Sequence, residues 1–236
     1  MDPVLLAIDW AFMLEKAILI SGVISISLLI AMYETYAERK VAAFIQDRRG
    51  PNRAGPFGIL QPLADGLKLF MKEEIVPNTS NKFLFILGPS LAMLTAMMTS
   101  AVIPWAGSIE VAGREVPLQI ADINIGVLFI FGVVSMGVYG IMIGGWASNN
   151  KFSLLAALRG ASQVISYELP MGLSLIALLM LTGSLKMSVI VGQQIDGLYH
   201  VLFQPLGFFI FLTCGFAECN RTPFHLPEGE NELYFG

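Results

Sequence analysis

Residues 34 to 74 read ETYAERKVAAFIQDRRGPNRAGPFGILQPLADGLKLFMKEE and follow directly on an apolar run, 12 to 33, of membrane-spanning length. About 20 apolar residues in a row cross the hydrocarbon of a bilayer, and the charge beside such a run fixes its direction. Arg39, Lys40, Arg48, Arg49, Arg53, Lys68 and Lys72 make up half of the 14 Lys and Arg in the chain. On charge alone the stretch is a positive-inside anchor. Its internal order argues for more. Arg48, Arg49 and Arg53 bracket Gly50-Pro51-Asn52, and Gly55-Pro56 follows, so these guanidinium groups sit on a loop shaped by turn residues. Beyond it Ile59, Leu60, Leu63, Leu67, Phe70 and Met71 recur at helical spacing, with Gln61, Asp65, Lys68 and Lys72 on the other face. That pattern predicts an amphipathic helix over 59–74 lying in the membrane interface, with Pro62 in its first turn.

Composition extends the reading to the whole chain. Of 236 residues 55% are hydrophobic and 14% charged, against about a quarter charged in soluble domains. Asp2 and Asp9 stand where a secretory signal would be basic. The fold class expected is an all-α integral membrane protein: about five transmembrane helices, plus the interfacial helix after the first. The spans fall at 12–33, 83–104, 123–146, 164–184 and 201–218. Loops 34–82, 148–163 and 219–236 hold eleven Lys and Arg, against Lys16, Arg114 and Lys186 on the other side. This bias puts the three loops in the cytoplasm and the N-terminus on the outer, periplasmic side.

Some chemistries are disfavoured by what the chain carries. Cys214 and Cys219 are its only cysteines, too few for an iron-sulfur cluster, and no Cys/His spacing suggests zinc, so no metal site is expected. No dinucleotide fingerprint or phosphate loop follows a strand, and no strand pattern supports one. No nucleic-acid partner is expected; the lipid bilayer is.

The acids at membrane depth carry the functional argument. Glu38 ends the first span, Glu168 starts the fourth and Glu218 ends the fifth. A charge in hydrocarbon costs about 2.5 to 3.5 kcal/mol on insertion scales and persists where it lines water or is paired. The plainer reading is an interfacial carboxylate reaching water or a base such as Arg39 or Arg159. Glu168 has no adjacent base, and Pro170, just after it, frees a backbone carbonyl, which favours hydration there. Gly137, Gly140, Gly144 and Gly145 in the third span read as close helix packing.

Three stretches carry a resemblance: ERKVAAFIQDRRGPNRAGPFGILQPLADGLKLFMKE; GWASNNKFSLLAALRGASQVISYELPMG at 145–172; and AECNRTPFHLPEGENEL at 217–233. They resemble, in order, the H-type membrane subunits of NADH-quinone oxidoreductase, respiratory complex I, known in mitochondria as subunit 1. The resemblance implies a membrane protein that forms the quinone entry channel at the junction with the peripheral arm and couples quinone reduction to proton translocation. It gives this chain no complete catalytic site. NADH oxidation, with FMN and iron-sulfur clusters, would lie in partner subunits; quinone would be the substrate. The implied partners are the other membrane and peripheral-arm subunits, and the implied location is a bacterial inner membrane or the mitochondrial inner membrane. About three more helices would follow residue 236.

Carried over residue by residue, the family's quinone channel falls on Arg39, Arg48, Arg49, Arg53, Asp65, Lys68, Phe70 and Arg221. Its proton path falls on Glu38, Glu168, Glu218, His225, Glu228, Glu230 and Glu232. Two positions depart from the family: Met136 stands where some bacterial members have Glu, and His225 makes PFHLP of the usual PFDLP. Pro223 and Pro227 disfavour a regular helix in the last loop, which lets its acids converge, and His225 could change charge near neutral pH. Two other readings stay open: the related component of an ion-pumping, membrane-bound hydrogenase, and a structural anchor on which a peripheral redox arm docks.

Overall fold

The computed structural model describes residues 10–111, 114–221 and 223–224. Among these, eight α-helices account for most of the chain. Four of them are long and apolar enough to cross a membrane: α1 (Trp10–Ile45), α3 (Lys82–Thr99), α4 (Gly126–Ala147) and α5 (Lys151–Thr182). A fifth apolar helix, α8 (Pro205–Glu218), is shorter, and α2 (Gln61–Phe70), α6 (Met187–Asp196) and α7 (His200–Phe203) complete the set. The protein is thus an all-helical, multi-pass membrane protein. Its contacts divide it into two compact units, Met1–Ile75 and Val76–Gly236.

In the first unit α1 has 36 residues, which at 1.5 Å per residue outruns the hydrocarbon thickness by several turns. The surplus is the polar half: the helix continues through Glu34, Glu38 and Arg39 to Ile45 without a break. Ser21 and Ser25 donate to the carbonyls of Ala17 and Ser21, so their hydroxyls are satisfied within the helix. The chain then turns through Gly50 to Gly58 into α2. Gly58 has φ +82°, and a Cβ there would collide with the Pro51 carbonyl, so the turn closes only on glycine. Tyr36 fixes the same turn by donating to the Phe57 carbonyl at 2.8 Å. The amphipathic helix expected over 59–74 is regular from Gln61 to Phe70. Its apolar face stays open to the surroundings, with Leu67 57% and Phe70 90% exposed.

In the second unit α3 and α4 approach until backbones touch. A Cβ on Gly88 would stand 2.8 Å from the Gly144 Cα, and one on Gly140 would stand 2.8 Å from the Gly88 carbonyl oxygen. The glycines of the third span are therefore packing residues, as small-residue faces in membranes commonly are. Ser148-Asn149-Asn150 makes the turn into α5. Ser148 donates to the Gly145 carbonyl, Asn149 takes φ +54° and its amide donates to the Thr79 carbonyl, and Asn150 caps α5 by accepting from Phe152 N–H at 3.0 Å. α5 then runs for 32 residues, with Pro170 in its interior rather than at its start, and ends at Gly183. The fourth expected span, 164–184, is thus the second half of a helix that begins at Lys151. The fifth, 201–218, is α7 and α8 with a break at Gln204.

The sequence shows no strand pattern, yet the α3–α4 connection contains a two-stranded antiparallel pair. β1 (Ser108–Val111) and β2 (Arg114–Pro117) pair in the register Ile109 to Val116 and Glu110 to Glu115. Strands of four residues are too short for alternation to stand out from a loop. Within that connection, buried Gln119 donates to the Val102 carbonyl, in the turn after α3, at 2.7 Å.

Candidate functional site

The predicted site residues fall in both units. In the first, Asp65 is the centre. It lies on the polar face of α2, where Arg39 of α1 donates to Oδ2 at 2.5 Å, Gln61 to Oδ1 at 3.2 Å, and Lys68 lies 3.8 Å away one helical turn on. The hydrogen bond from Arg39 is the main reason that Asp65 is held below the usual carboxylate range, with Gln61 and Lys68 adding to it. Asp65 is thus a fixed anion. Arg39 also lines an open cleft of about 770 Å³ together with Arg48, Arg49, Arg53, Gly50, Pro51, Asn52 and Gln61. Arg48 is steadied by its bond to Gln46 Oε1 at 2.7 Å. The four arginines expected along a quinone path therefore share one cleft, and Asp65 and Lys68 stand beside it. Phe70 projects at the far end of α2, and Glu38 lies on the exposed surface of α1.

The second unit gathers two acids. Glu168 is on α5 and Glu218 is the last residue of α8, a helix that packs on α5. The two carboxyls are near enough for the charge of Glu168 to act on Glu218. Oε1 of Glu168 and Oε2 of Glu218 are buried and meet no hydrogen-bond partner among the described residues. Glu218 also borders an apolar cavity of about 310 Å³ walled by Phe131, Val134, Met171, Leu175 and Phe211. A buried polar atom without a partner is costly unless water or a proton satisfies it. This arrangement suits water or a shared proton in a way that the fully partnered Asp65 does not.

Two amides fasten α8 along α5. Gln204, before the first turn of α8, donates to the Ala177 carbonyl at 3.0 Å, and Gln163 of α5 donates to the Ala217 carbonyl at 3.4 Å. Gln163 also donates to the Phe224 carbonyl at 2.7 Å, and the Tyr167 ring meets that of Phe224 edge-on at 4.9 Å. After α8 the chain turns at Asn220, φ +50°, with N–H of Asn220 bonded to Ala217 and N–H of Arg221 to Phe216. This is the left-handed cap by which many helices end. Arg221 follows directly on that cap, outside α8. His225, Glu228, Glu230 and Glu232 lie outside the described residues.

Sequence reading did not single out Tyr36, Gln163, Tyr167 or Gln204, and it placed Gln61 on the polar face of the helix without a role. One signal was present for Gln163. Ala156, Gly160, Gln163, Tyr167 and Met171 fall at helical spacing on one face of α5, and small residues on such a face mark the side turned to another helix. A glutamine on that face must find a partner within the protein.

A family model described as NADH dehydrogenase matches residues 18–236. The chain is 66% identical over 225 residues to an H-type subunit of NADH-quinone oxidoreductase from Cytophaga hutchinsonii, covering 95% of this chain and 66% of that one. It is 62% identical to the corresponding protein of the same name from Flavobacterium johnsoniae, covering 96% and 65%. To one from Geobacter metallireducens, also named for NADH-quinone oxidoreductase, it is 51% identical, covering 100% and 70%. The chain thus spans about two thirds of the length of these curated relatives, at 66%, 65% and 70%.

Proposed function

The chain belongs to the NADH dehydrogenase family, and from that premise we propose that it serves as the membrane subunit of a proton-translocating NADH-quinone oxidoreductase. In this reading it walls the path of the quinone and couples quinone reduction to proton movement. Its relatives' names supply the enzyme. The observation that carries the coupling role is the pair Glu168 and Glu218, on packed helices, each with a buried oxygen lacking a protein partner among the described residues. Two acids so placed can exchange a proton through water between them, since each is a donor when protonated and an acceptor when not.

The arginine cleft supports the quinone role. Arg39, Arg48, Arg49 and Arg53 present donors that suit the carbonyl oxygens of a quinone headgroup, and the open apolar face of α2 suits its tail. Arg221, and the acids beyond it with His225, would extend the two paths. The chain contributes walls, donors and proton sites; FMN and iron-sulfur clusters of partner subunits deliver the electrons. The expected setting is the inner membrane, with the N-terminus on its outer side.

Purification through a tag on this chain tests the assembly: a NADH-oxidising flavoprotein should copurify, whereas a nickel-iron protein would favour the hydrogenase reading. Coupling is tested in assembled complex reconstituted into vesicles. Glu168→Gln keeps the shape but removes the titratable proton, so proton uptake should fall with quinone turnover, and Glu168→Asp should retain more of both. Unchanged pumping by Glu168→Gln would reject the proton role.

A further inference from the structure

We propose that Gln163, with Tyr167 behind it, is a latch that positions the start of the acidic loop against Glu168. The inference rests on the proton-path reading for its effect on turnover; the latch itself rests on contacts. Gln163 is 7% exposed, on a helix face it shares with Ala156, Gly160, Tyr167 and Met171, and one amide nitrogen reaches two carbonyls, those of Ala217 and Phe224. Ala217 is fully buried and precedes Glu218. Phe224 precedes the acid-bearing stretch and is held a second time by the Tyr167 ring. Gln163 and Tyr167 are four residues apart and so stack on one side of α5. A single helix face therefore grips both ends of the turn 217–224, and Glu168 is the residue after Tyr167.

The grip is one-sided. The Nε2 donor is fully used, while the Gln163 Oε1 acceptor is buried with no partner among the described residues. For packing alone, an apolar side chain would fill the same space without leaving that oxygen unsatisfied. The amide is thus suited to holding the loop's carbonyls while offering an acceptor to a proton-bearing group. The titratable groups carried by the two segments it joins are Lys151, Arg159, Tyr167 and Glu168 on α5, and Cys214, Glu218, Cys219 and Arg221 on α8 and just beyond it.

Hydrogen exchange read by mass spectrometry on the assembled complex tests the latch directly. Gln163→Leu keeps most of the volume and removes both hydrogen bonds, so protection at Arg221 and Phe224 should fall about tenfold, with α3 and α4 unchanged. Gln163→Glu supplies a second arm, because its carboxyl can donate to the loop only when protonated. Protection factors of the turn, taken relative to the parent at each pH, should approach parental values in acid and fall as pH rises. A turn equally protected in Gln163→Leu, or a Gln163→Glu ratio that does not change with pH, would overturn the latch. If exchange responds as expected while quinone-linked turnover and its pH profile stay parental, the latch stands and its link to the proton path fails.

Discussion

The arginine cleft and the paired glutamates solve opposite problems. Around Asp65, two cations and an amide converge on one carboxylate, so its charge is fixed and its geometry over-determined. Around Glu168 and Glu218 no cation is paired with either acid among the described ion pairs, and amides do the structural holding through backbone carbonyls. A group that must keep one charge state is best surrounded by partners of opposite charge. A group that must change its charge state is best left without them and near room for water. Under the proposed function, the two regions would separate a binding task from a transfer task within one chain.

The sharpest test of that separation, and the largest expected effect, concerns the acids as a unit. Glu218→Gln should reduce proton pumping as strongly as Glu168→Gln, more than about tenfold, and the double variant should fall no further, because serial members of one path are not additive. Losses that multiply would mean that the acids act separately. The corresponding pair at the cleft should behave differently. Arg39→Met should lower quinone turnover about fivefold through loss of a charged hydrogen bond, leaving NADH oxidation by an artificial acceptor intact. Asp65→Asn should do less, since Arg39 remains to face the cleft. Equal loss of both activities at normal assembly would remove the distinction between cleft and acids.

Much of this was legible in the sequence, for reasons that also mark its limits. Hydropathy disclosed a membrane fold, because burial in lipid demands long apolar runs, and the spacing of apolar residues disclosed the amphipathic helix α2. The length of α5 was not visible: its first turns are polar enough to resemble a loop, although Asn150 supplies a cap. Likewise Pro170 reads as a helix start, yet the helix carries it in its interior, where a membrane helix tolerates the freed carbonyl. The acids could be named, since charge at membrane depth is rare, but their coupling depends on α8 packing antiparallel on α5. Gln163 and Gln204 find carbonyls 54 and 27 residues away, and no local pattern encodes such a distance. The short β1–β2 pair escaped for a different reason, its strands being too brief to show a period.

The last prediction asks whether the pinned character of Asp65 follows from pairing or from its region, using a third acid. Asp122 belongs to the same unit as Glu168 and Glu218, but outside the long helices, and it is paired: Lys186 Nζ lies 2.7 Å from Oδ2 and Ser188 donates to Oδ1 at 3.0 Å. The hydrogen bond from Lys186, then that from Ser188, holds it below its ordinary value of 3.8. A carboxylate depressed in the folded state contributes stability above its unfolded value, and that contribution fades as pH falls through the folded one. Asp122→Asn should therefore destabilise at neutral pH, with an effect that begins to fade below the ordinary value and is lost as pH falls through the depressed folded one. Because the Asp122 side chain is 40% exposed, the effect is screened and small, about 0.5 kcal/mol. Thermal unfolding of parent and variant complexes should show a midpoint difference of about 1 to 2 °C at neutral pH, smaller in high salt and shrinking as the solution is acidified below the ordinary carboxylate value. An acid-insensitive difference would mean that the Asp122 carboxylate acts through packing, and pairing alone would then no longer tell pinned acids from mobile ones.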